Sequence, residues 1–183
     1  EYIMALNHPL RNDPLHGVTL RVQARVGDFC DTLAKKVTQG KANPFLSSLQ
    51  KLNAKIDRIV EEYLGKEPRL SEAAAGRLVT QYIPAGTGLF LSNSLPIREV
   101  DMYGDPKGNQ VVVGANRGAS GIDGIVASAC GFAVGLKRPV TLLIGDLALL
   151  HDLNSLAMLK TSPHPLVIVV LNNDGGGIFN FLP

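Results

Sequence analysis

The stretch PVTLLIGDLALLHDLNSLAMLKTSPHPLVIVVLNNDGGGIF (residues 139–179) contains the two segments that decide the fold. PVTLLIG and PLVIVVLN are continuous apolar runs rich in Val, Ile and Leu. Such runs are typical of central strands in a parallel sheet that is covered on both faces. Each run ends in turn-forming residues, first Gly-Asp and then Asn-Asn-Asp-Gly-Gly-Gly. The stretch therefore predicts two buried parallel strands whose carboxyl ends carry polar loops.

Alternating helices and strands surround these two runs from about residue 68 onward. SEAAAGRLVTQYI (71–83) predicts a helix that Ser71 caps at its N-terminus. GLFLS (88–92) and QVVVGA (110–115) predict short strands, and GIDGIVASACGFAVGL (121–136) predicts a helix of small residues. Strands that alternate with helices indicate a doubly wound α/β fold with a parallel sheet. In that fold, ligands bind beyond the carboxyl ends of the strands.

The first 67 residues have a different pattern. YIMAL (2–6) predicts a strand, and VGDFCDTLAKKV (26–37) has the apolar spacing of a helix. TQGKANPF (38–45) has linker composition, and FLSSLQKLNAKIDRIVEEYL (45–64) predicts an amphipathic helix packed along a surface. The chain begins with Glu1 and enters a strand at once, which suggests a fragment. We therefore divide it into the end of a preceding α/β unit (1–40), a linker with a connecting helix (41–67) and the N-terminal part of the parallel-sheet domain (68–183).

Composition and charge argue against several classes of protein. The formal net charge is +2, and no block of Lys and Arg is interleaved with aromatic residues, so we expect no nucleic-acid partner. No run reaches the roughly 20 apolar residues of a membrane helix, so we expect no membrane association. Cys30 and Cys130 form neither a CxxC pair nor a zinc spacing, and two free, buried thiols are expected. The four histidines are scattered along the chain, which argues against a histidine metal site.

Four strand ends carry polar or small residues that together predict one site. They are Asn93-Ser94, Asn116-Arg117-Gly118, Asp146 and Asn172-Asn173-Asp174-Gly175. No G-x-x-x-x-G-K-[ST] motif and no strand-linked G-x-G-x-x-G motif occurs, so the common nucleotide loops are excluded. The side chains of Asp146 and Asn173 are hard oxygen donors of the kind that Mg²⁺ prefers, and a glycine carbonyl nearby could add a third. This arrangement predicts a metal ion that holds a diphosphate group.

Gly145-Asp146, followed after 25 residues by Asn172-Asn173, resembles the diphosphate-binding signature of thiamin diphosphate (ThDP) enzymes. The resemblance implies ThDP and Mg²⁺ as cofactors. It implies that Asp146, Asn173 and the main-chain carbonyl of Gly175 ligate the Mg²⁺ ion. It also implies that residues 68–183 belong to the ThDP diphosphate-binding domain.

Four longer segments resemble one branch of these enzymes. SNSLPIR (92–98), ANRGASGIDG (115–124), GDLALLHDLNSLAML (145–159) and NNDGGGIF (172–179) are similar to the MenD family, the 2-succinyl-5-enolpyruvyl-6-hydroxy-3-cyclohexene-1-carboxylate (SEPHCHC) synthases of menaquinone and phylloquinone biosynthesis. RNDPLH (11–16) matches the end of the family's middle domain more loosely. PIREVDMYG (96–104) looks closer to plant and algal forms, in which this unit belongs to a larger fused plastid protein. The resemblance implies decarboxylation of 2-oxoglutarate on ThDP and addition of the resulting carbanion to isochorismate.

The same resemblance implies roles for individual residues. Arg98 and Arg117 match residues that contact substrate or intermediate carboxylates, and Ile122 matches an apolar residue beneath the cofactor rings, so these three are the implied catalytic positions. From the residues alone, Ile122 could equally be the first core residue of its helix. The implied substrate-binding residues are Asn93, Ser94, Arg98, Arg117, Ile178 and Phe179. The implied cofactor-binding residues are Ser94, Ile122, Gly145, Asp146, Leu147, Ala148, Asn173, Gly175, Gly176 and Ile178.

Two departures from the family pattern affect these expectations. Ala148 stands where the family usually has serine, so we expect one diphosphate hydrogen bond fewer and a cofactor affinity weaker by about 1 kcal/mol. The family also uses a glutamate from a separate pyrimidine-binding domain, usually of a second subunit, and no segment here resembles that domain. We therefore expect the 183-residue chain to be inactive alone and the full-length protein to be a homodimer or homotetramer. The expected location is the plastid stroma for a plant or alga and the cytoplasm otherwise.

Other interpretations stay open at this point. The chain could be a non-catalytic remnant of the fold, or part of another ThDP-dependent 2-oxo acid decarboxylase of the acetolactate-synthase type. Arg98 and Arg117 argue against the second, because a dicarboxylate-derived intermediate needs additional cations. Ile178 and Phe179, which the resemblance places in the pocket for the ring substrate, could otherwise form an apolar plug at the start of a helix.

Overall fold

The computed structural model describes residues 1–38, 40 and 43–181, which belong to two compact units, residues 1–51 and 52–183. None of the helices over these residues combines the length and the apolarity that a membrane span needs. Two 3-10 helices cover Leu153–Lys160 and Gly177–Phe181. The other elements are, in chain order, β1 (Ile3–Leu6), β2 (Leu20–Gln23), α1 (Val26–Lys36), α2 (Pro44–Lys66), α3 (Glu72–Tyr82), β3 (Gly88–Leu91), α4 (Leu95–Tyr103), β4 (Val112–Ala115), α5 (Ile125–Leu136), β5 (Val140–Gly145), α6 (Asp146–His151) and β6 (Leu166–Leu171).

The first unit holds a two-stranded parallel sheet and α1. β1 and β2 pair in a register that places Ile3 opposite Leu20. β1 and α1 form where the sequence predicts them, whereas β2 was not predicted, because four residues are too few for a clear periodicity. The prediction of a buried Cys30 is wrong, since α1 buries none of its residues and this thiol is exposed. Two short strands offer too little surface to cover α1. Cys130, by contrast, is buried as predicted.

A four-stranded sheet forms the centre of the second unit, with strand order β4-β3-β5-β6 and all pairs parallel. The predicted parallel α/β fold is therefore confirmed. Successive side chains of a strand point to opposite faces, and helices cover both faces of β5. Leu142 and Ile144 belong to a core cluster with residues of α5, while Leu143 belongs to a second cluster with Ala75 of α3. Burial from both sides explains the uninterrupted apolar sequence of β5.

β6 does not have the central position that its apolar run predicts. Over the described residues it pairs only with β5 and lies at the edge of the sheet. Val167 is 55% exposed and Val170 is 40% exposed. An apolar run indicates that a strand is hydrophobic but not which elements lie beside it. The sequence therefore could not distinguish an edge strand from a central one.

α2 forms where the amphipathic pattern predicts it, but the predicted packing of its apolar stripe is wrong. The stripe residues from Leu49 to Tyr63 are 45–67% exposed. A different face of the helix is anchored within the second unit. Asp57 accepts a hydrogen bond of 2.8 Å from the buried guanidinium of Arg77 in α3, which also donates to the carbonyl of Tyr103 at the end of α4 (3.2 Å). An ion pair, rather than the apolar stripe, therefore attaches this part of α2.

Candidate functional site

A cavity of about 200 Å³ lies at the carboxyl ends of the parallel strands. Because the strands run in one direction, their carboxyl ends share one edge of the sheet. The segments that follow β3, β4, β5 and β6 all contribute to the wall. The predicted site residues that line this cavity are Asn93, Ser94, Ile122, Gly145, Asp146, Leu147, Ala148, Asn173, Gly176, Ile178 and Phe179.

Asn93 follows β3 and is a buried polar side chain of the cavity wall, 4% exposed. Its Nδ2 donates a hydrogen bond to the main-chain oxygen of Gly121 (2.7 Å). This bond ties the end of β3 to the turn that carries Ile122. The Oδ1 atom of Asn93 has no hydrogen-bond partner among the described residues. Since a buried acceptor without a donor is costly, a bound group that donates a hydrogen bond here would be stabilised.

Ile122 lies in the turn before α5 and not in the helix. The small-residue pattern predicts a helix from residue 121, but Gly124 has a left-handed backbone (φ 64°), which a right-handed helix excludes. α5 therefore begins at Ile125, which is 1% exposed and is its first core residue. The interpretation of Ile122 as that core residue is wrong, because its side chain is 39% exposed and lines the cavity.

The loop after β6 has an unusual backbone. Asp174, Gly175 and Gly176 have φ angles of 60°, 87° and 69°. Three successive residues with positive φ are tolerated here because two of them lack a Cβ atom. The N–H of Gly175 donates to Oδ1 of Asn173 (3.1 Å), which turns the loop back toward its first residues. Gly175 lies next to the cavity rather than in its wall, and a Cβ atom there would be 3.4 Å from Leu147.

Ser94 and Arg98 belong to the start of α4, an element that the sequence analysis did not predict. Ser94 has a φ of 73°, which is uncommon for a residue other than glycine and typical of strained functional sites. Its carbonyl accepts a hydrogen bond from Nη1 of Arg98. Arg98 lines a neighbouring cavity of about 530 Å³ instead of the first one. The two cavities share the wall residues Glu72, Leu95 and Ile178.

Glu99 follows Arg98 and is a buried carboxyl group in the wall of this second cavity, 7% exposed. Its Oε2 atom has no hydrogen-bond partner among the described residues. Burial raises the pKa of Glu99 to about 7, and the negative charge of Glu72 adds to the increase. Near neutral pH a substantial fraction of Glu99 is therefore protonated and able to donate a hydrogen bond.

Arg117 is exposed in the segment after β4 and lines neither of the two cavities. Its neighbour Asn116 donates from Nδ2 to the hydroxyl of Ser128 in α5 (3.1 Å). The segment after β4 reaches the first cavity through Ile122 and not through the polar residues that directly follow the strand.

The chain that forms this cavity is similar to parts of several known proteins. Residues 105–181 match the family model of the C-terminal TPP binding domain of thiamine pyrophosphate (ThDP) enzymes. The chain is 52% identical over its whole length to the SEPHCHC synthase of Rubrobacter xylanophilus, and 48% identical over 99% of its length to that of Prosthecochloris aestuarii. Residues 105–181 are therefore similar to the TPP binding domain of thiamine pyrophosphate enzymes. It is also 38% identical over its whole length to Protein PHYLLO, chloroplastic, of Arabidopsis thaliana.

The chain spans only part of the length of each of these three relatives. It covers 31% and 30% of the two bacterial proteins and 12% of the plant protein. A solved structure of a candidate thiamin diphosphate-dependent enzyme from Mycobacterium smegmatis has the same fold, with a TM-score of 0.63 and 16% identity. That likeness covers 93% of this chain and 32% of the other.

The cavity residues fit the cofactor of the thiamine pyrophosphate enzymes. Over the part of the chain that the structure describes, no group of three His, Cys, Asp or Glu side chains gathers to hold a metal ion. Among the predicted metal ligands, Asp146 is the one carboxylate, and Asn173 would add a neutral oxygen. This donor set suits Mg²⁺, which takes few protein carboxylates and completes its shell with phosphate oxygens and water. The unpaired Oδ1 of Asn93 is a further place for a donor from a bound group.

Glu72 and Gly177 also line the cavity and were missed by the sequence analysis. Glu72 is the first residue of α3, and its Oε1 accepts a hydrogen bond of 2.8 Å from Nδ2 of Asn173, 101 residues later. The local sequence signals only the start of a helix at this position. A Cβ atom on Gly177 would lie 2.5 Å from the same Nδ2 atom. The run of three glycines was the available signal for this close approach.

Proposed function

We propose that this chain is the diphosphate-binding part of a ThDP- and Mg²⁺-dependent SEPHCHC synthase. The full-length protein would decarboxylate 2-oxoglutarate and add the resulting succinyl unit to isochorismate, in menaquinone or phylloquinone biosynthesis. The observation that carries the proposal is the cavity at the strand ends, which gathers Asp146 and Asn173 from the ends of the paired strands β5 and β6. The identity of 52% to a bacterial protein of that name supports it, and that protein is about three times longer.

The metal and diphosphate would be held by the loops after β5 and β6. Oxygens of the Asp146 and Asn173 side chains and the carbonyl of Gly175 would ligate Mg²⁺, while Gly145, Leu147, Ala148 and Gly176 border the diphosphate. Ser94, Ile122 and Ile178 would contact the remainder of the cofactor. When bound, ThDP supplies the electron sink for decarboxylation and carbon–carbon bond formation. The turn position of Ile122, anchored through Gly121 and Asn93, supports its role as an apolar support for the rings.

The substrates would lie between the two cavities. Arg98 and Arg117 would bind their carboxylates, because a guanidinium matches a carboxylate with two parallel hydrogen bonds. Arg98 borders the cavity of about 530 Å³, which has room for a ring substrate. A protonated Glu99 beside Arg98 would reduce the negative charge that a dicarboxylate meets there. Asn93 and Ser94 would contact the reacting part, and Ile178 and Phe179 would form the apolar wall.

The remaining partners follow from the same proposal. A pyrimidine-binding domain of the full-length protein, or of a second subunit, would supply the activating glutamate, and the assembly would be a homodimer or homotetramer. The expected location is the plastid stroma if the source is a plant or alga and the cytoplasm otherwise. The chloroplastic Arabidopsis relative and the bacterial relatives support both possibilities.

Calorimetric titration of the full-length protein with ThDP at saturating Mg²⁺ tests the metal site. We expect the wild type to bind and Asp146→Ala to lose binding, because the substitution removes the single carboxylate of the donor set. Asp101→Ala, which changes an exposed carboxylate of α4, serves as the matched control and should bind as the wild type does. Unchanged binding by Asp146→Ala would reject the metal role, while a wild type that does not bind would favour a non-catalytic remnant.

The donor substrate is tested separately by comparing consumption of 2-oxoglutarate and of pyruvate by the same protein. We expect a preference for 2-oxoglutarate, since Arg98 and Arg117 provide cations for its second carboxylate. A preference for pyruvate would instead support an enzyme of the acetolactate-synthase type.

A further inference from the structure

Glu72 connects the first helix of the second unit to the loop that carries the proposed metal ligand Asn173. Its Oε1 atom accepts a hydrogen bond of 2.8 Å from Nδ2 of Asn173. Ser71 anchors this part of α3, because its hydroxyl accepts a hydrogen bond from the N–H of Ala74 and so caps the helix (3.2 Å). Glu72 therefore extends from a fixed helix start into the wall of the cavity.

The two hydrogen bonds of the Asn173 side chain fix the orientation of its amide group, that is, the positions of Oδ1 and Nδ2. An ionised carboxylate only accepts hydrogen bonds, so the Glu72 side must face the NH₂ group. A main-chain N–H only donates, so the Gly175 side must face Oδ1, at 3.1 Å. An amide oxygen has two acceptor positions, and one of them stays available after Gly175 has donated. Without the carboxylate, only the Gly175 N–H opposes a half-turn of the amide, which would present an NH₂ group that cannot ligate a cation.

The backbone around the amide leaves it little space for any other position. A Cβ atom on Gly177 would lie 2.5 Å from Nδ2 and 3.1 Å from Cγ of Asn173, and 3.6 Å from Oε1 of Glu72. Gly177 therefore passes directly against the hydrogen bond between the two side chains. This close approach is an independent sign that the chain is arranged around the pair.

We propose that Glu72 is a positioning residue of the metal site, which holds the Asn173 amide with its oxygen available to Mg²⁺. The inference rests on the proposed function, because it assumes that Asn173 ligates the ion. Glu72 accepts a hydrogen bond from the proposed ligand Asn173, so it would act on the metal site through that side chain. Partners of this kind, bonded to a ligand rather than to the metal, typically contribute roughly tenfold to a hundredfold to metal affinity.

The test uses the full-length protein with saturating ThDP, and measures binding of Mn²⁺ in place of Mg²⁺ by electron paramagnetic resonance of the free ion. We expect Glu72→Ala to weaken metal binding by roughly tenfold to a hundredfold. Glu72→Gln should stay closer to the wild type, because the glutamine oxygen can still accept from Nδ2. Glu62→Ala removes an exposed glutamate of α2 and is the matched control, with no change expected.

The same measurement in an Asn173→Asp background separates positioning from general folding effects. An aspartate has two equivalent oxygens and needs no orientation, so adding Glu72→Ala should then weaken metal binding far less than it does in the native background. A loss as large as in the native background would overturn the inference, because Glu72 would act independently of the Asn173 amide.

Two other results would also overturn it. If Glu72→Ala binds the metal as Glu62→Ala does, the hydrogen bond has no positioning role. If Glu72→Gln is as weak as Glu72→Ala, the charge of Glu72 matters and its hydrogen bond does not. A wild type without ThDP or metal binding is a different outcome, in which the proposed function fails and this inference fails with it.

Discussion

Glu99, in the wall of the second cavity, makes the folding stability of the protein depend on pH. Its carboxyl group is buried, and Oε2 has no partner among the described residues. Burial and the charge of Glu72 raise its pKa from 4.5 in the unfolded chain to about 7. Below pH 4.5 the Glu99 carboxyl is protonated in both the folded and the unfolded state, so its raised pKa does not reduce folding stability. Between the two values the unfolded chain ionises more readily, so folding stability is lost as the pH rises, and the loss is complete above the higher value.

Glu99→Gln should remove this loss, because glutamine keeps the shape of the protonated acid and does not ionise. At about pH 8 we expect the variant to be more stable than the wild type by up to roughly 3 kcal/mol, with little difference at about pH 5. Urea unfolding of the two proteins at both pH values measures the effect. Glu62→Gln on the exposed face of α2 is the control. An equal gain at both pH values, or none at the higher one, would contradict the raised pKa.

Individual residues differ in how far the sequence alone could identify them. Asp146 and Asn173 were identifiable because each lies within two residues of the end of an apolar strand, and parallel strands end at one edge of the sheet. The cavity does contain both side chains. Glu72 was not identifiable, since its partner lies 101 residues away and nothing local reports the contact. The roles of Arg98 and Arg117 stay predictions, and the structure places them outside the first cavity.

Among the elements, α5 depends on a contact that its own sequence does not contain. Gly124 precedes the helix and has no side chain to cap it. Instead Oδ2 of the buried Asp152 accepts hydrogen bonds from the N–H groups of Val126 (2.7 Å) and Ala127 (3.4 Å). Oδ1 of Asp152 accepts a third, from the hydroxyl of Ser155 (2.6 Å). A side chain after α6 therefore caps α5.

Asp152→Ala should destabilise the protein by about 1–3 kcal/mol, because two N–H groups at the start of α5 lose their acceptor, one of them buried. Asp152→Asn should cost less, since its amide oxygen can still accept. Denaturant unfolding of the full-length protein measures both. The control is Asp101→Ala, which removes an exposed carboxylate from α4. A cost no greater than that of the control would show that Asp152 is not the cap of α5.

For the whole molecule, the parallel fold was predictable because its signals are local. Apolar runs, a capping serine and alternating elements all lie within short windows of sequence, and the four-stranded sheet confirms them. The edge position of β6 and the exposed stripe of α2 were not predictable. Both depend on which surfaces meet, and a stripe such as Leu52, Ile56 and Ile59 has the same periodicity whether or not a neighbour covers it.

The first cavity also has apolar wall residues that no other part of the described structure covers. Three of its apolar wall residues are exposed to solvent, with Ile122 at 39%, Leu147 at 46% and Phe179 at 68%. Apolar side chains grouped around a ligand cavity usually mark a surface that another part of the protein covers. In the proposed enzyme that cover would be the pyrimidine-binding domain, which would also exclude water from the reacting atoms.

The 183-residue chain alone should therefore not turn over 2-oxoglutarate, even with ThDP and Mg²⁺ present, because its cavity admits water and the activating glutamate of the proposed enzyme would come from another domain. Consumption of 2-oxoglutarate by the purified chain, followed over many equivalents of protein, measures this directly. The full-length protein at the same concentration is the positive control. Steady ThDP-dependent turnover by the chain alone would show that the exposed wall is sufficient for catalysis and that the missing cover is not required.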